Sequence, residues 1–233
     1  MSKHILDRAV WNALSTRQAH VATGGEFARR FFPDIGPLAA TCDDSPQSLK
    51  ELTELVPPTD PLILLQAEEI VLPPQVDVVM TAQGVQMIAQ KLVSMPDGFS
   101  SRIERLTEKD ITAMVELALL TKPGPFATRT PTLGEFWGIK EKGQLVAMAG
   151  ERMKHVGYTE VSGVCTRPSA RGHGYARALS IHVASRIIDR GETPYLHAYA
   201  TNTAAIQLYE SLGFQLRCPV HVAAITRQGS SRH

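Results

Sequence analysis

The sequence predicts an α/β protein: a mixed, largely antiparallel central sheet flanked by helices, with a second, smaller α/β lobe. Three observations carry this prediction. In the second half, candidate elements run strand, helix, three antiparallel strands, helix, strand, helix, strand. A glycine-containing junction, "RPSARGHGYARAL" (167–179), stands between the third of those antiparallel strands and the next helix. A turn-rich stretch, "SMPDGFSS" (94–101), separates this regular half from a less regular beginning. The regions so defined are residues 1–95 and 101–226.

In the first region, "LDRAVWNALSTRQAHV" has apolar residues at helical spacing, with Asp7 placed to cap it. "SPQSLKELTELVPP" predicts a short helix that Ser45 caps, Pro46 opens and Pro57 ends. "PLILLQ" (61–66) and "VDVVMTA" (76–82) read as strands, and "QGVQMIAQKL" (83–92) as a short helical piece. In the second region, "SRIERL" suits a strand. "TEKDITAMVELALL" suits a helix with Ile111, Met114, Val115 and Ala118 on one face. "KPGPFATRTPTLG" (122–134) is a loop. "EFWGIKE", "QLVAMAGERM" and "TEVSGVCT" are strands joined at "KG" and "HVG". A helix to about Asp189 follows the glycines, with Leu179, Val183 and Ile187 on its core face. "PYLHAYA" is a strand, "TAAIQLYESLGF" a helix ended by Gly213, and "FQLRCPVHVAAI" supplies one or two last strands. No repeat is legible at the residue level.

Composition excludes several classes. The 233 residues are 43% hydrophobic and 20% charged, with a formal net charge of +1, so no chain-wide field points to nucleic acid or acidic lipid. Cys42, Cys165 and Cys218 are far apart and odd in number, which suggests neither a disulfide framework nor a zinc site. Reduced thiols, an N-terminus broken by charges and no bilayer-length apolar run fit a cytoplasmic protein that binds neither membrane nor metal.

The glycine junction carries the functional reading. The first N–H groups of a helix lack partners inside it, and the helix dipole makes that end electropositive. An anion reaches those groups only where the backbone is uncovered. Gly172, Gly174 and Ala176 leave it uncovered, and Arg171 adds a fixed positive charge, an arrangement suited to a pyrophosphate. A triphosphate loop would need GxxxxGK and a following Ser or Thr, which the sequence lacks. "GHGYAR" lacks the third glycine of a dinucleotide loop, and the strands before it read as antiparallel.

"RPSARGHGYARAL" resembles the acetyl-CoA signature of the GNAT superfamily of N-acetyltransferases, Gln/Arg-x-x-Gly-x-Gly/Ala, with Arg171, Gly174 and Ala176 in the matching places. "VSGVCTRP" resembles the family's central strand. "NTAAIQLYESLGF" resembles its Asn-x-x-Ala-x-x-x-Tyr-x-x-x-Gly-Phe helix, matching at Asn202, Ala205, Tyr209, Gly213 and Phe214. The resemblance spans roughly residues 101–225. It implies a GNAT-like fold, and "PLILLQ" followed by "VDVVMTA" in residues 1–95 is compatible with the degenerate second lobe, without a glycine-rich loop, that some members of the family carry.

It also implies a chemistry: acetyl transfer from acetyl-CoA, as co-substrate, to a primary amine of a small molecule or peptide, by direct attack. Val164, Cys165 and Thr166 would meet the acetyl group and pantetheine arm. Backbone from Arg171 through Gly172, His173, Gly174 and Tyr175 to Ala176 would hold the pyrophosphate. Asn202 would contact the cofactor arm, and Tyr209, also at the cofactor, would protonate the sulfur. Asn202 and Tyr209 lie seven residues apart, two helical turns, so both project from one face. Glu151 is the first choice of general base, acting through water, ahead of Glu160 and His155.

Plainer roles stand beside these. Asn202 could only cap its helix, Tyr209 could be a core aromatic, and Glu151 could pair with a neighbouring Arg or Lys. Cys165 reads as a packing residue. The 122–134 loop is the expected wall for the acceptor, where Phe126 and Arg129 could touch it, though Phe126 reads more safely as packing and Arg129 as a solvated charge. The alternative function is a non-catalytic acyl-CoA-binding regulatory module; the partner expectation is the amine substrate, with a homodimer open.

Overall fold

The computed structural model describes residues 4–229. In chain order it contains helix α1 (Ala9–Ser15), strands β1 (Ala22–Gly24), β2 (Ala28–Phe31) and β3 (Leu38–Thr41), helix α2 (Pro46–Leu55), and strands β4 (Leu62–Gln66) and β5 (Val76–Ile88). There follow β6 (Glu104–Arg105), α3 (Ile111–Thr121), β7 (Phe136–Glu141), β8 (Gln144–His155), β9 (Tyr158–Thr166) and α4 (Tyr175–Asp189). Strand β10 (Thr193–Tyr199), helix α5 (Thr203–Leu212) and strand β11 (Gln215–Arg227) complete the chain. The backbone divides into two compact units. The first takes the described residues through Val85, residues 199–201 and those from Cys218 on; the second takes 86–198 and 202–217. The division falls inside β5 and β11.

In the second unit β7, β8 and β9 form an antiparallel meander, with the short β6 on its outer edge. The tight turn between β7 and β8 uses Lys142 (φ 50°) and Gly143 (φ 80°), positive angles that suit a two-residue hairpin. Helix α4 then crosses to β10, which pairs parallel with β9. Met114, Leu117 and Ala118 of α3 pack with Phe136, Leu145, Met148 and Cys165 to form the core on one side. This is the mixed, mostly antiparallel sheet with flanking helices that the sequence predicts.

The first unit has the same order of parts. Strands β1, β2 and β3 form an antiparallel meander, α2 crosses over, and β4 pairs parallel with β3. Its core gathers Ala28, Ala39, Leu52, Val56, Leu62, Leu64 and Ile225. What differs is the strand-to-helix junction. Ser45 caps α2 by accepting the Ser48 N–H, and Pro46 occupies the first turn. The Asp43 carboxylate accepts hydrogen bonds from the Ser48 hydroxyl and the Ser45 N–H, which lower its pKa to about 2. The electropositive helix end is therefore satisfied by the chain's own side chains, leaving no opening for a phosphate.

Three local expectations are corrected. Residues 83–88 continue strand β5 instead of starting a helix: Gln83 and Ala89 bond across to Ala200 and Pro194, and such long-range pairing overrides a short, ambiguous apolar pattern. Asp7 does not cap α1; its carboxylate accepts the His4 N–H, and Arg8 occupies the cap position. Strand β6 keeps only two residues of "SRIERL".

Candidate active site

The site forms where β9 delivers the chain to α4. Opposite Met148 and Gly150 of β8, the β9 partners are Cys165 and Ser162, so β9 carries one extra residue between them. Gly163, at φ +64°, occupies this bulge, and a bulge leaves backbone groups out of the ladder. Val164, Cys165 and Thr166 follow on the wall of a cleft of about 430 Å³. The Thr166 Oγ1 is shielded from solvent and has no hydrogen-bond partner among the described residues. An orphan of that kind costs about 1–3 kcal/mol, which a ligand in the cleft would recover.

A short 3₁₀ turn (Pro168–Ala170) leads to α4. Gly172 and Gly174 have φ of +81° and +76°, and Gly174 is the N-cap of α4, with no side chain capping the first turn. The Arg171 N–H is already used, bonding to the Pro168 carbonyl, so the open N–H groups begin after it. The cleft is lined by Arg171, Gly172, Gly174, Tyr175 and Ala176 on this side. His173 is not part of the lining; it is exposed and stacks on Tyr175 at 5.5 Å. The Tyr175 ring is buried, and its hydroxyl is held by Arg102 and Glu141.

Helix α5 supplies the opposite wall through Asn202, Ala204, Ala205, Leu208 and Tyr209. Asn202 does cap the helix, accepting the Ala205 N–H at 3.2 Å, and it lines the cleft as well. Tyr209 is 8% exposed; burial, with Cys165 nearby, raises its hydroxyl to about 12, so it stays protonated at neutral pH. Burial likewise pushes the Cys165 thiol up to about 11, which leaves it a poor nucleophile and fits the packing role. Thr121, which the sequence reading missed, closes the cleft from the C-terminus of α3 together with Lys122 and Pro123, the first residues of the 122–134 loop. Lys122 has left-handed backbone (φ 50°) as the C-cap, a feature the "KPGP" loop signal marks only in general terms. Lys122, Arg171 and Arg177 are the charged residues of the lining, all positive.

Glu151 lies elsewhere. Its carboxylate pairs with Arg190 at 2.6 Å and Lys154 at 3.0 Å. Arg190 follows the last residue of α4, and that 15-residue helix separates it from the cleft at Gly174 by about 22 Å. Phe126 packs edge-on against Phe136 at 5.5 Å, in the packing role. Among the described residues, no group of His, Cys, Asp and Glu could hold a metal ion, and no helix is long and apolar enough to cross a membrane.

A crossover helix with an uncapped, glycine-opened N-terminus, set beside a bulged strand in a mixed sheet, is an arrangement suited to an anionic ligand. The comparisons give the family. The FR47-like protein family model matches residues 136–222. A GNAT-family structure from Novosphingobium aromaticivorans DSM 12444 is 40% identical, covering 97% of this chain and 100% of its own, with a TM-score of 0.90. A GCN5-related N-acetyltransferase from Kribbella flavida shares the fold at 16% identity, covering 95% of this chain and 96% of its own, with a TM-score of 0.65. No curated protein matches. The chain belongs to the GNAT family of acetyltransferases.

Proposed function

We propose that the protein transfers the acetyl group of acetyl-CoA to a primary amine by direct attack. The observation that carries this reading is the cleft itself. One cavity joins the uncapped α4 N-terminus, the bulged strand through Thr166 and the buried Tyr209 hydroxyl. The N–H groups after Gly172, with Arg171, Arg177 and Lys122, provide the positive surroundings that a pyrophosphate needs. In this reading a backbone N–H at the Gly163–Val164 bulge donates to the thioester oxygen, where charge develops during attack. Thr166 Oγ1 gains a partner in the bound pantetheine amide. Tyr209 then gives its proton to the departing sulfur. No protein nucleophile is needed, in keeping with the neutral Cys165 thiol.

Calorimetric titration with acetyl-CoA tests the cofactor half of this reading. Binding at one molecule per chain is expected, because the equivalent helix end in the first unit is closed by Asp43, Ser45 and Ser48. No binding would overturn the assignment, and two molecules per chain would overturn the reading of the first unit as lacking a site.

A further inference from the structure

Tyr175 is the first residue of α4 and directly follows Gly174, so whatever holds its side chain also holds the end of the glycine loop. Both its ring and its hydroxyl are engaged. The ring is buried and meets Phe99 edge-on at 6.2 Å. The Arg102 guanidinium lies 4.9 Å from the ring centre and donates to the hydroxyl at 2.8 Å. The hydroxyl in turn donates to Glu141, the last residue of β7, which Arg102 also reaches at 3.3 Å. Phe99 and Arg102 belong to one tight turn, closed by the Arg102 N–H on the Phe99 carbonyl at 2.9 Å.

The loop is touched at further points by the same group. The Phe99 ring lies 3.3 Å from where a Cβ on Gly174 would stand, so it packs against the N-cap of α4. His173 stacks on the Tyr175 ring at 5.5 Å, and its Nδ1 donates to the Arg171 carbonyl at 3.0 Å. The ring is thereby tied to the start of the loop as well as to the helix.

Such fastening has a physical purpose at an anion site. Glycine has more backbone freedom to lose than any other residue, and N–H groups bind an anion well only when already aligned. Gly172 and Gly174 supply that freedom, and no side chain caps the first turn of α4. Packing of Tyr175 needs only its ring. The polar part of the group is different in kind: Arg102 and Glu141 are 44% and 42% exposed and lie outside the cleft lining. An exposed pair of this sort contributes little to the stability of the fold. The Tyr175 hydroxyl, ahead of Arg102 and His173, holds the Glu141 carboxyl below the usual carboxylate range, so it is ionised at neutral pH.

We infer that Arg102 and Glu141 are positioning residues for the cofactor: by latching Tyr175 they hold the Gly172–Gly174 backbone in its anion-receiving shape and set acetyl-CoA affinity from outside the cleft. This deepens the acetyl-CoA reading and rests on it. The latch carries a sign opposite to that of a simple field. By charge alone, a carboxylate beside an anion site repels the ligand, and its removal tightens binding. As part of a latch, its removal loosens the loop and weakens binding.

Calorimetric titration of the full chain with acetyl-CoA, at neutral pH and well below each variant's thermal midpoint, is the test. Glu141→Ala is expected to weaken binding about 10-fold, the worth of one hydrogen bond. Glu141→Gln loses the charge but keeps an acceptor for the Tyr175 hydroxyl, and is expected to retain most of the affinity. Tyr175→Phe removes the hydroxyl alone and is expected to match Glu141→Ala. The double variant is expected to lose no more than either single change, because each breaks the same latch. Tighter binding in both Glu141 variants makes the carboxylate a plain repulsive charge and overturns the inference. Unchanged affinity in Glu141→Ala, even with a lowered midpoint, makes the group merely structural and overturns it too. Should Glu141→Ala fail to fold, unchanged affinity in Tyr175→Phe overturns it equally. If the wild-type chain binds no acetyl-CoA, it is the parent reading that fails, and this one with it.

Discussion

Replacing Tyr209 by Phe is expected to slow acetyl transfer by about 10²-fold or more while acetyl-CoA binds as tightly as before. The substitution removes one oxygen and leaves the ring, which is 8% exposed and meets Phe214 edge-on at 5.9 Å, in place. Fold and cleft shape are therefore preserved. What is lost is a hydroxyl that burial holds at about 12 and so keeps protonated at neutral pH, the one the proposed reaction uses at the departing sulfur. Thr166 and Asn202 on the lining are not acids, and the Tyr175 hydroxyl is engaged by Glu141 and Arg102. If Tyr209 served only as a packing aromatic, Phe would leave kcat unchanged. Steady-state kinetics beside a calorimetric affinity separates the two outcomes.

The second large effect is expected at Gly174. Its φ of +76° is accessible to glycine and costs a β-branched residue about 1–3 kcal/mol. A Cβ there would also meet the Phe99 ring at 3.3 Å, tight enough that the ring or the helix start must shift. A valine side chain there would also cover the N–H groups at the helix start, so Gly174→Val is expected to weaken acetyl-CoA binding by one to two orders of magnitude or more. Gly172→Ala makes an informative control. Its φ is +81°, but a Cβ would meet nothing within 4 Å, so only backbone strain is added and a smaller loss is expected. Unchanged affinity in Gly174→Val would remove the α4 N-terminus from the site.

The parts that were legible in the sequence are those whose physics is local. The left-handed angles at Gly172 and Gly174, the Asn202 cap and the Gly213 stop each follow from one residue and its immediate neighbours. The cleft residues from β9, α4 and α5 lie within 46 positions of each other along a strand–helix–strand–helix run, so the motif order located them. Long-range pairing was not legible. Strand β5 owes its length to partners more than a hundred residues away, and its short apolar pattern suits a helix equally well. Glu151 was chosen for its place on a central strand. Which end of that strand faces the cleft depends on the bulge register and on Arg190, and these set it at the far end of α4.

The first unit shows the same limit from the other side. Its meander, crossover helix and parallel strand repeat the order of the second unit, yet no residue-level repeat exists to announce it. At the corresponding junction "CDDSPQS" presents two acids and a proline where "SARGHGYA" presents glycines and an arginine. Shared topology with opposite charge explains why one helix end is open and the other sealed.

The central claim is most directly tested by incubating the purified chain with acetyl-CoA and, in turn, an aromatic monoamine, a polyamine, an aminosugar and a peptide with a free N-terminus, following both free thiol and acetylated amine. The account predicts stoichiometric release of CoA and formation of the amide with at least one class, without an acetylated protein intermediate. Acetyl-CoA binding with no amide from any of them, or an acetyl group resident on Cys165, would contradict it.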